Sequence, residues 1–206
     1  MIKDVIWDFD GTLFDTYPAI ADVFLETFRY YGIEETRAEV LRLLHQSLSE
    51  TYDFFSAKHS IERAALHAKF VEIEETMDVS KALPFSGAEL LLTHVIENGG
   101  MNFIYTNRGA STYSFLEHAG HMKYFTEIIT REDGFGRKPK PDCINYLIEK
   151  YSLDRETALM VGDREIDVLA GHNAGIKSCY FNSHHIPIPT KSYIYVNTLP
   201  DLLNYI

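Results

Sequence analysis

The alternation of short apolar runs with stretches of helical periodicity is the feature that most constrains how this chain folds. The first run is Val5-Ile6-Trp7, where two β-branched residues and an aromatic residue predict a buried strand. Similar runs occupy residues 103–105, 158–161, 178–181 and 193–196, and helical stretches occupy residues 87–97, 111–119, 142–151 and 167–174. This alternation predicts an α/β fold with a parallel sheet and helices on both faces. Ligands of such sheets bind at the carboxyl ends of the strands.

Residues 17–81 interrupt the alternation, because this stretch has helical character throughout. Thr36 with Glu39, and Ser47 with Glu50, have the spacing of a capping box, which predicts a helix start at each position. A third helix is predicted to start at Ser60 and to continue as a long amphipathic run.

These helices predict two domains. An α/β core domain would comprise residues 1–16 and 82–206, and a small helical cap domain, residues 17–81, would be inserted after the first strand. We expect the cap to lie over the end of the sheet. The alternative is that its helices only extend the core.

Composition and charge exclude several classes of protein. The chain has 206 residues, of which 46% are hydrophobic, and a formal net charge of −11. An acidic chain repels a phosphate backbone, so we expect no nucleic-acid partner. No apolar run approaches the roughly 20 residues of a membrane helix, so we expect no membrane partner. The two cysteines are too few for a disulfide framework and predict the reducing cytoplasm. We expect a monomer or homodimer that binds a small molecule.

Two carboxylates follow the first predicted strand, in the run Asp8-Phe9-Asp10-Gly11-Thr12. Residues two apart in an extended chain face the same side, and Gly11 then lets the backbone turn sharply. Two close carboxylates repel each other unless a cation is near. A divalent metal would keep one ionised and leave the other free to carry a proton. This pairing predicts a nucleophile and a general acid/base. The alternative is a structural turn rich in aspartate.

Two further loops could bind an anion. Thr106-Asn107-Arg108-Gly109 follows the second predicted strand and offers a hydroxyl and free backbone N–H groups before a helix. In the run Lys138-Pro139-Lys140-Pro141, each lysine precedes a proline and is held extended. A lysine ammonium fixed in this way could neutralise phosphate oxygens and nearby carboxylates. The alternatives are an ordinary loop and a solvated basic turn.

A second pair of carboxylates follows the predicted strand at residues 158–161. Asp163 and Asp167 are four residues apart, at the start of a predicted helix, so both can point to one place. Oxygen ligands at this spacing suit Mg²⁺, which takes few protein carboxylates and keeps several waters. The alternative is capping of the helix dipole by acidic residues.

These four segments, in this order and each after a predicted strand, resemble the motifs of the haloacid dehalogenase superfamily. The resemblance is to its phosphatases with a helical cap, the phosphoglycolate phosphatase and β-phosphoglucomutase group. The motifs are the run from Asp8 to Asp15, Thr106-Asn107, Lys138-Pro139-Lys140-Pro141, and Gly162-Asp163 with Asp167. The resemblance covers essentially the whole chain. It implies a Rossmann-like core and a phosphatase that depends on magnesium (Mg2+) and acts on a small phosphomonoester.

The resemblance also implies a role for each motif residue. Asp8 would be the nucleophile that forms an aspartyl-phosphate, and Asp10 would be the general acid/base. Mg²⁺ would bind Asp8, the main-chain carbonyl of Asp10, and Asp163, with Asp167 in the second coordination shell. The phosphoryl group would be bound by Gly11, Thr106, the Asn107 amide and Lys138.

Some questions stay open at this level. A β-phosphoglucomutase-like phosphomutase uses the same two aspartates, and a non-catalytic protein that binds a phospho-ligand could keep the same scaffold. A dehalogenase is disfavoured because that branch lacks the aspartate at the position of Asp10. Arg164 stands where the family often has serine or threonine, and it could face solvent or reach a substrate carboxylate. Lys140 is the alternative to Lys138 as the catalytic lysine.

Substrate choice is expected to depend on the predicted cap domain. By position in the family, the segment His45-Gln46-Ser47 resembles the cap loop that faces the active site, so Gln46 is a candidate substrate-binding residue. Arg42 and Tyr17 are further candidates. The alternative for each is an ordinary surface position or packing between helices.

Overall fold

A computed structural model describes residues 1–188 and 190–206 and contains a parallel six-stranded sheet over these residues. The strands are β1 (Asp4–Trp7), β2 (Asn102–Tyr105), β3 (Glu127–Ile129), β4 (Ala158–Gly162), β5 (Lys177–Phe181) and β6 (Ile194–Val196). The predicted parallel α/β fold is thereby confirmed, and all five predicted strands are present. Strand β3 was not predicted, because it has three residues and only Ile129 in it is fully buried.

Eight α-helices occupy the described part of the chain. They are α1 (Tyr17–Tyr30), α2 (Arg37–Leu44), α3 (Leu48–His59), α4 (Arg63–Glu74), α5 (Ala88–Glu97), α6 (Ser111–His118), α7 (Asp142–Tyr151) and α8 (Glu165–Asn173). The helix start predicted at Ser60 is wrong. Ser60 ends α3 in the left-handed region, at φ +54°, and the backbone N–H of Ile61 turns back to donate to the Ser56 carbonyl. Helix α4 begins only at Arg63.

The strand order is β3-β2-β1-β4-β5-β6, which places β1 in the interior of the sheet. The chain moves outward from β1 to β3 on one side, then crosses to β4 on the other side of β1. Trp7, the last residue of β1, is paired with Ile104 of β2 and with Val161 of β4. The loops that follow β1 and β4 therefore leave the same edge at the point where the strand order reverses. This is where open α/β sheets bind their ligands.

Helices cover both faces of the sheet. Phe103 of β2 and Met160 of β4 belong to a buried cluster with Leu147 of α7 and Ala170 of α8. Asn102 precedes Phe103 in β2 and therefore points to the opposite face. Its amide nitrogen donates to the carbonyl of Leu92 in α5, at 2.9 Å. The two-sided arrangement predicted from the alternation is confirmed.

The chain separates into two compact units, one of Met1–Asp15 with Leu83–Ile206 and one of Thr16–Ala82. The first holds the sheet and is called the core unit below; the second holds α1 to α4 and is called the helical unit. Phe24, Phe28, Phe55 and Phe70 form an aromatic centre in the helical unit, with ring centroids 4.6 Å apart for Phe24 and Phe70 and 4.7 Å for Phe28 and Phe55. Such ring pairs stabilise a core beyond their buried area.

The two predicted helix caps in the helical unit are present. The hydroxyl oxygen of Thr36 accepts a hydrogen bond from the Glu39 backbone N–H, and that of Ser47 accepts one from Glu50. These bonds satisfy backbone donors at the starts of α2 and α3. None of the described helices is long and apolar enough to cross a membrane.

Candidate active site

Asp8 is the first residue after β1, and its position is fixed by the neighbouring strand. Its backbone N–H donates to the carbonyl of Val161 in β4, at 2.8 Å, and its side chain is buried. The chain then turns at Gly11, where φ is +77° and a side chain would be strained. The Gly11 N–H closes this turn by donating to the Phe14 carbonyl, at 2.8 Å. Thr12, within the turn, donates its hydroxyl to Asp163 Oδ1 at 3.3 Å, which joins the loop after β1 to the loop after β4.

Lys138 joins two buried carboxylates. Its Nζ donates to Asp8 Oδ1 at 2.5 Å and to Asp167 Oδ1 at 2.6 Å, and its side chain has no exposed surface. Burial alone would lower the pKa of Lys138, but the negative charges of Asp167 and Asp8 raise it above its usual value. The lysine is therefore charged where it meets the carboxylates. By contrast, Lys140 is exposed.

The second oxygen of Asp8 has an environment that fits a cation. Asp8 Oδ2 is buried and accepts no hydrogen bond from the described residues. One carboxylate oxygen from each of Asp8, Asp163 and Asp167 lies within 4.8 Å of the others. Burial and the nearby Asp167 raise the pKa of Asp8, although Lys138 and Arg164 act in the opposite direction. A buried, unpaired carboxylate oxygen among other carboxylates matches the hard oxygen ligands that Mg²⁺ takes.

Asp167 is held by protein groups at both of its oxygens. Oδ1 accepts from Lys138, and Oδ2 accepts from the Arg164 backbone N–H at 3.1 Å. With both oxygens already bonded to protein donors, Asp167 is suited to orient the residues that would bind a cation directly. Gly162 makes room for it, because a Cβ there would lie 2.2 Å from the Asp167 Cβ. Glycine at the end of β4 is therefore a packing requirement of the site.

Thr106 and Asn107 form the loop that directly follows β2. The Thr106 hydroxyl oxygen accepts a hydrogen bond from the Arg108 backbone N–H at 3.0 Å, and the Thr106 side chain is buried. Because the oxygen is the acceptor in this bond, the hydroxyl hydrogen is left to be donated elsewhere. Asn107 is half-buried beside it. The loop thus has donors for an anion at the same edge of the sheet as Asp8.

Asp10 contacts a residue to which the sequence assigned no role. The Nε of Arg108 lies 2.9 Å from Asp10 Oδ1 and 3.1 Å from Oδ2. Asp8 and Asp10 thus each have their own cation, Lys138 for one and Arg108 for the other. The pair forms because Arg108 follows β2, which lies next to β1 in the sheet, so both loops leave the same edge.

The structure therefore brings four predicted residues together in one cluster: Asp8, Lys138, Asp163 and Asp167. Gln46 lies in the helical unit, exposed in the turn between α2 and α3. Arg164 is half-buried, with its Nε buried, and its charge lowers the pKa of Asp8.

Comparison with known proteins agrees with this geometry. The haloacid dehalogenase-like hydrolase family model matches residues 5–181. A pyrophosphatase PpaX of Oceanobacillus iheyensis is 27% identical over 86% of this chain and 82% of its own length. A phosphoglycolate phosphatase of Vibrio cholerae is 28% identical over 91% of this chain and 88% of its own length.

A solved structure supports the same assignment. The crystal structure of a hydrolase from Streptococcus pneumoniae matches with a TM-score of 0.67 at 33% identity, over 89% of this chain and 95% of that one. The family match spans every strand end at which the site residues lie, from Asp8 to Asp167. This chain belongs to the haloacid dehalogenase-like hydrolase family.

Proposed function

We propose that the chain is a Mg²⁺-dependent phosphatase that hydrolyses a small phosphomonoester through an aspartyl-phosphate on Asp8. The observation that carries this proposal is the state of the Asp8 carboxylate. One oxygen is held by Lys138 at 2.5 Å, while the other is buried and accepts no hydrogen bond from the described residues. A carboxylate that is fixed by a buried lysine, and whose other oxygen lies where a cation would bind, is held in place to attack an electrophile brought to it.

The first half of the reaction transfers the phosphoryl group to the enzyme. An Asp8 oxygen forms a bond to phosphorus, and the bond from phosphorus to the leaving oxygen breaks. Asp10 donates a proton to that oxygen, which leaves as an alcohol. The second half reverses these roles: Asp10 takes a proton from water, the water oxygen bonds to phosphorus, and the bond to Asp8 breaks. Inorganic phosphate leaves and both aspartates return to their starting states.

Phosphoryl transfer depends mainly on positioning and on stabilising the charge of the transferred group. Lys138, the Thr106 hydroxyl and the amide of Asn107 would hold the phosphoryl oxygens. Gly11, whose N–H already donates to the Phe14 carbonyl, would shape the turn beside them. Lys138 is suited to this because its burial leaves its charge unscreened by solvent. The Thr106 hydroxyl can donate because its oxygen accepts the Arg108 N–H.

A divalent cation would be held by Asp8, the main-chain carbonyl of Asp10, and Asp163, with Asp167 supporting from the second shell. Bound Mg²⁺ would supply positive charge that offsets the repulsion between the phosphoryl oxygens and the carboxylates. The two protein bonds already made by Asp167 support its secondary place.

The helical unit corresponds to the predicted cap at residues 17–81. It would discriminate between substrates by their leaving groups and exclude water. Gln46 is the residue we expect to contact the substrate there. Its exposure at a turn in the helical unit supports this role, because Gln46 is not part of the buried cluster of that unit.

The test is release of inorganic phosphate from a panel of phosphate compounds, with Mg²⁺ and with a chelator. The panel includes phosphoglycolate and pyrophosphate, which the names of the relatives suggest, together with sugar phosphates, nucleoside monophosphates and p-nitrophenyl phosphate. Asp8→Asn removes the nucleophile. Asp154→Asn is the matched control, because Asp154 is exposed and precedes β4, at the opposite edge of the sheet.

We expect metal-dependent release that Asp8→Asn abolishes and Asp154→Asn preserves. Acid quenching during turnover should also trap phosphate on the peptide that contains Asp8. Release that persists in Asp8→Asn would contradict the nucleophile. No release from any compound would contradict the phosphatase, and formation of a sugar bisphosphate intermediate would indicate a phosphomutase.

A further inference from the structure

We propose that Arg108 is a positioning residue that holds the Asp10 carboxylate for proton transfer to the leaving oxygen. The inference rests on the proposed function, in which Asp10 is the general acid/base. Its structural basis is the contact of one guanidinium nitrogen with both carboxylate oxygens, Nε to Oδ1 at 2.9 Å and to Oδ2 at 3.1 Å. A charge-assisted contact of this kind restrains the position of a carboxylate.

Arg108 is itself held in place. Its side chain is only 4% exposed, and its guanidinium carbon lies 5.1 Å from the centre of the Phe115 ring. Its Nη1 donates to the Ser111 hydroxyl at 3.2 Å. Both Phe115 and Ser111 belong to α6, so the guanidinium is supported by the helix that follows its own loop.

The backbone of Arg108 is restrained as well. Its N–H donates to the Thr106 hydroxyl oxygen at 3.0 Å, and its carbonyl accepts from the Arg131 N–H at 3.0 Å. Hydrogen bonds thus connect the Arg108 backbone to the loop after β2, at Thr106, and to the segment after β3, at Arg131. A buried side chain on a restrained backbone is a rigid support, which is what a positioning residue requires.

Asp10 needs such a support more than Asp8 does. Its side chain is 21% exposed, whereas that of Asp8 is 1% exposed and is fixed by Lys138. Asp10 also immediately precedes the turn at Gly11, outside the strand. Proton transfer requires an Asp10 oxygen and the leaving oxygen of the substrate to be within hydrogen-bond reach. A displacement of about 1 Å can cost on the order of a hundredfold in rate.

The experiment compares two substrates that differ in how much they need the proton. Glycerol phosphate expels a strongly basic alkoxide unless the oxygen is protonated, whereas p-nitrophenyl phosphate expels a stable phenolate. We expect Arg108→Met to lower kcat/KM for glycerol phosphate by about a hundredfold, and that for p-nitrophenyl phosphate by less than about fivefold. Arg108→Lys should restore part of the loss. The inhibition constant of inorganic phosphate should not change, since ground-state binding of the phosphoryl group does not involve Arg108.

A second arm shows whether Arg108 acts through Asp10. In an Asp10→Asn background, adding Arg108→Met should change kcat/KM for glycerol phosphate by less than about twofold, because coupled residues are not additive. A loss that persists in that background would mean that Arg108 contacts the substrate directly, and would overturn the inference. Equal losses on the two substrates would overturn it as well.

The matched control is Arg155→Met. Arg155 donates to the Asn145 side chain at 3.0 Å and to the Ala174 carbonyl, and it precedes β4, at the edge of the sheet opposite the site. This variant should keep the wild-type ratio of the two kcat/KM values. The inference and the proposed function can fail separately. Inactivity of the wild-type protein would contradict the proposed function. An active wild type, with an unchanged ratio of the two kcat/KM values in Arg108→Met, would contradict only the role of Arg108.

Discussion

The ammonium group of Lys138 lies 2.6 Å from a carboxylate oxygen of Asp167, and neither side chain has any exposed surface. The same ammonium lies 2.5 Å from Asp8, so one buried cation serves two carboxylates. Asp8 follows β1 and Asp167 lies in α8, which follows β4. Lys138 therefore joins the two strand ends between which the strand order reverses. Without it, two buried negative charges would face each other in a medium of low polarity.

We therefore expect Lys138→Ala to lose both turnover and stability. The kcat should fall by at least about a thousandfold, because a preorganised charge at the phosphoryl group is removed. The free energy of unfolding should fall by about 3–5 kcal/mol, as when one partner of a buried ion pair is deleted. Phosphate release and urea denaturation measure the two effects. Lys140→Ala, at an exposed position two residues away, should change neither; near-normal turnover of Lys138→Ala would mean that the assigned lysine is wrong.

Much of this fold is predictable because its elements repeat one local pattern. The strands β1, β2, β4 and β5 are buried along most of their length, and each contains an apolar run of at least three residues and is followed by a polar loop. Thr36 and Ser47 mark helix starts through capping bonds that form within three residues. Such local interactions are encoded in short stretches of sequence, so they can be predicted without knowledge of the rest of the chain.

What escaped prediction depends on partners that are distant in sequence. The contact of Arg108 with Asp10 spans 98 positions and exists only because β2 is placed beside β1. Strand β3 has no continuous apolar run and is defined by its pairing with β2. Ser60 resembles a helix start in sequence, but the turn that ends α3 places it in the left-handed region. In each case tertiary context decides the outcome.

The buried contact between β1 and β2 gives a second prediction. Trp7 Nε1 donates to the Asn102 side-chain oxygen at 2.9 Å, and the Asn102 amide donates to the Leu92 carbonyl. Asn102→Leu leaves the buried indole N–H without a partner, so we expect the free energy of unfolding to fall by about 1–3 kcal/mol. Trp7→Phe removes the indole donor, and the double variant should lose less than the sum of the single losses. Urea denaturation measures this, and strictly additive losses would contradict the contact.

The buried His121 gives a third prediction, on pH. Burial lowers the pKa of His121, nearby Lys123 lowers it further, and Glu89 partly opposes them. A histidine with a lowered folded-state pKa takes up protons more readily when unfolded, so its contribution to stability is lost as the pH falls through the unfolded value of about 6.5. His121→Phe keeps a ring beside Phe14 and Tyr124 but cannot titrate.

The measurement is urea denaturation of both proteins between about pH 8 and about pH 5.5. Wild type should lose stability relative to His121→Phe on acidification. Taking the difference between the two proteins cancels groups that they share. A difference that stays constant over this range would contradict the prediction.

Metal binding should raise the thermal stability of the protein as well as its activity. A cation that binds the folded chain alone raises the free energy of unfolding by about 2.7 kcal/mol at a hundredfold excess over its dissociation constant. We expect Mg²⁺ to raise the midpoint of thermal unfolding of the wild-type protein and a chelator to reverse the effect. Asp163→Asn removes one of the clustered carboxylates and should abolish most of this shift. Asp154→Asn should preserve it, and an equal shift in all three proteins would place the cation elsewhere.

Substrate choice should depend on the helical unit rather than on the metal cluster. Gln46 is exposed in the turn between α2 and α3, and we expect its amide to contact the leaving group. Gln46→Ala should therefore alter the ranking of substrates by kcat/KM, with changes of about tenfold for those whose leaving group it contacts. The Mg²⁺ concentration that gives half-maximal activity should remain that of the wild-type protein, because the carboxylates that would hold the cation belong to the core unit.

The matched control for this prediction is Glu62→Ala, since Glu62 is an exposed polar residue in the turn between α3 and α4 of the same unit. It should preserve the substrate ranking. A uniform change across the panel in Gln46→Ala would indicate loss of general positioning, and unchanged kinetics on every substrate would mean that this turn does not reach the leaving group. Either result would contradict the role of Gln46, while a selective change would identify by its chemistry the part of the substrate that the amide contacts.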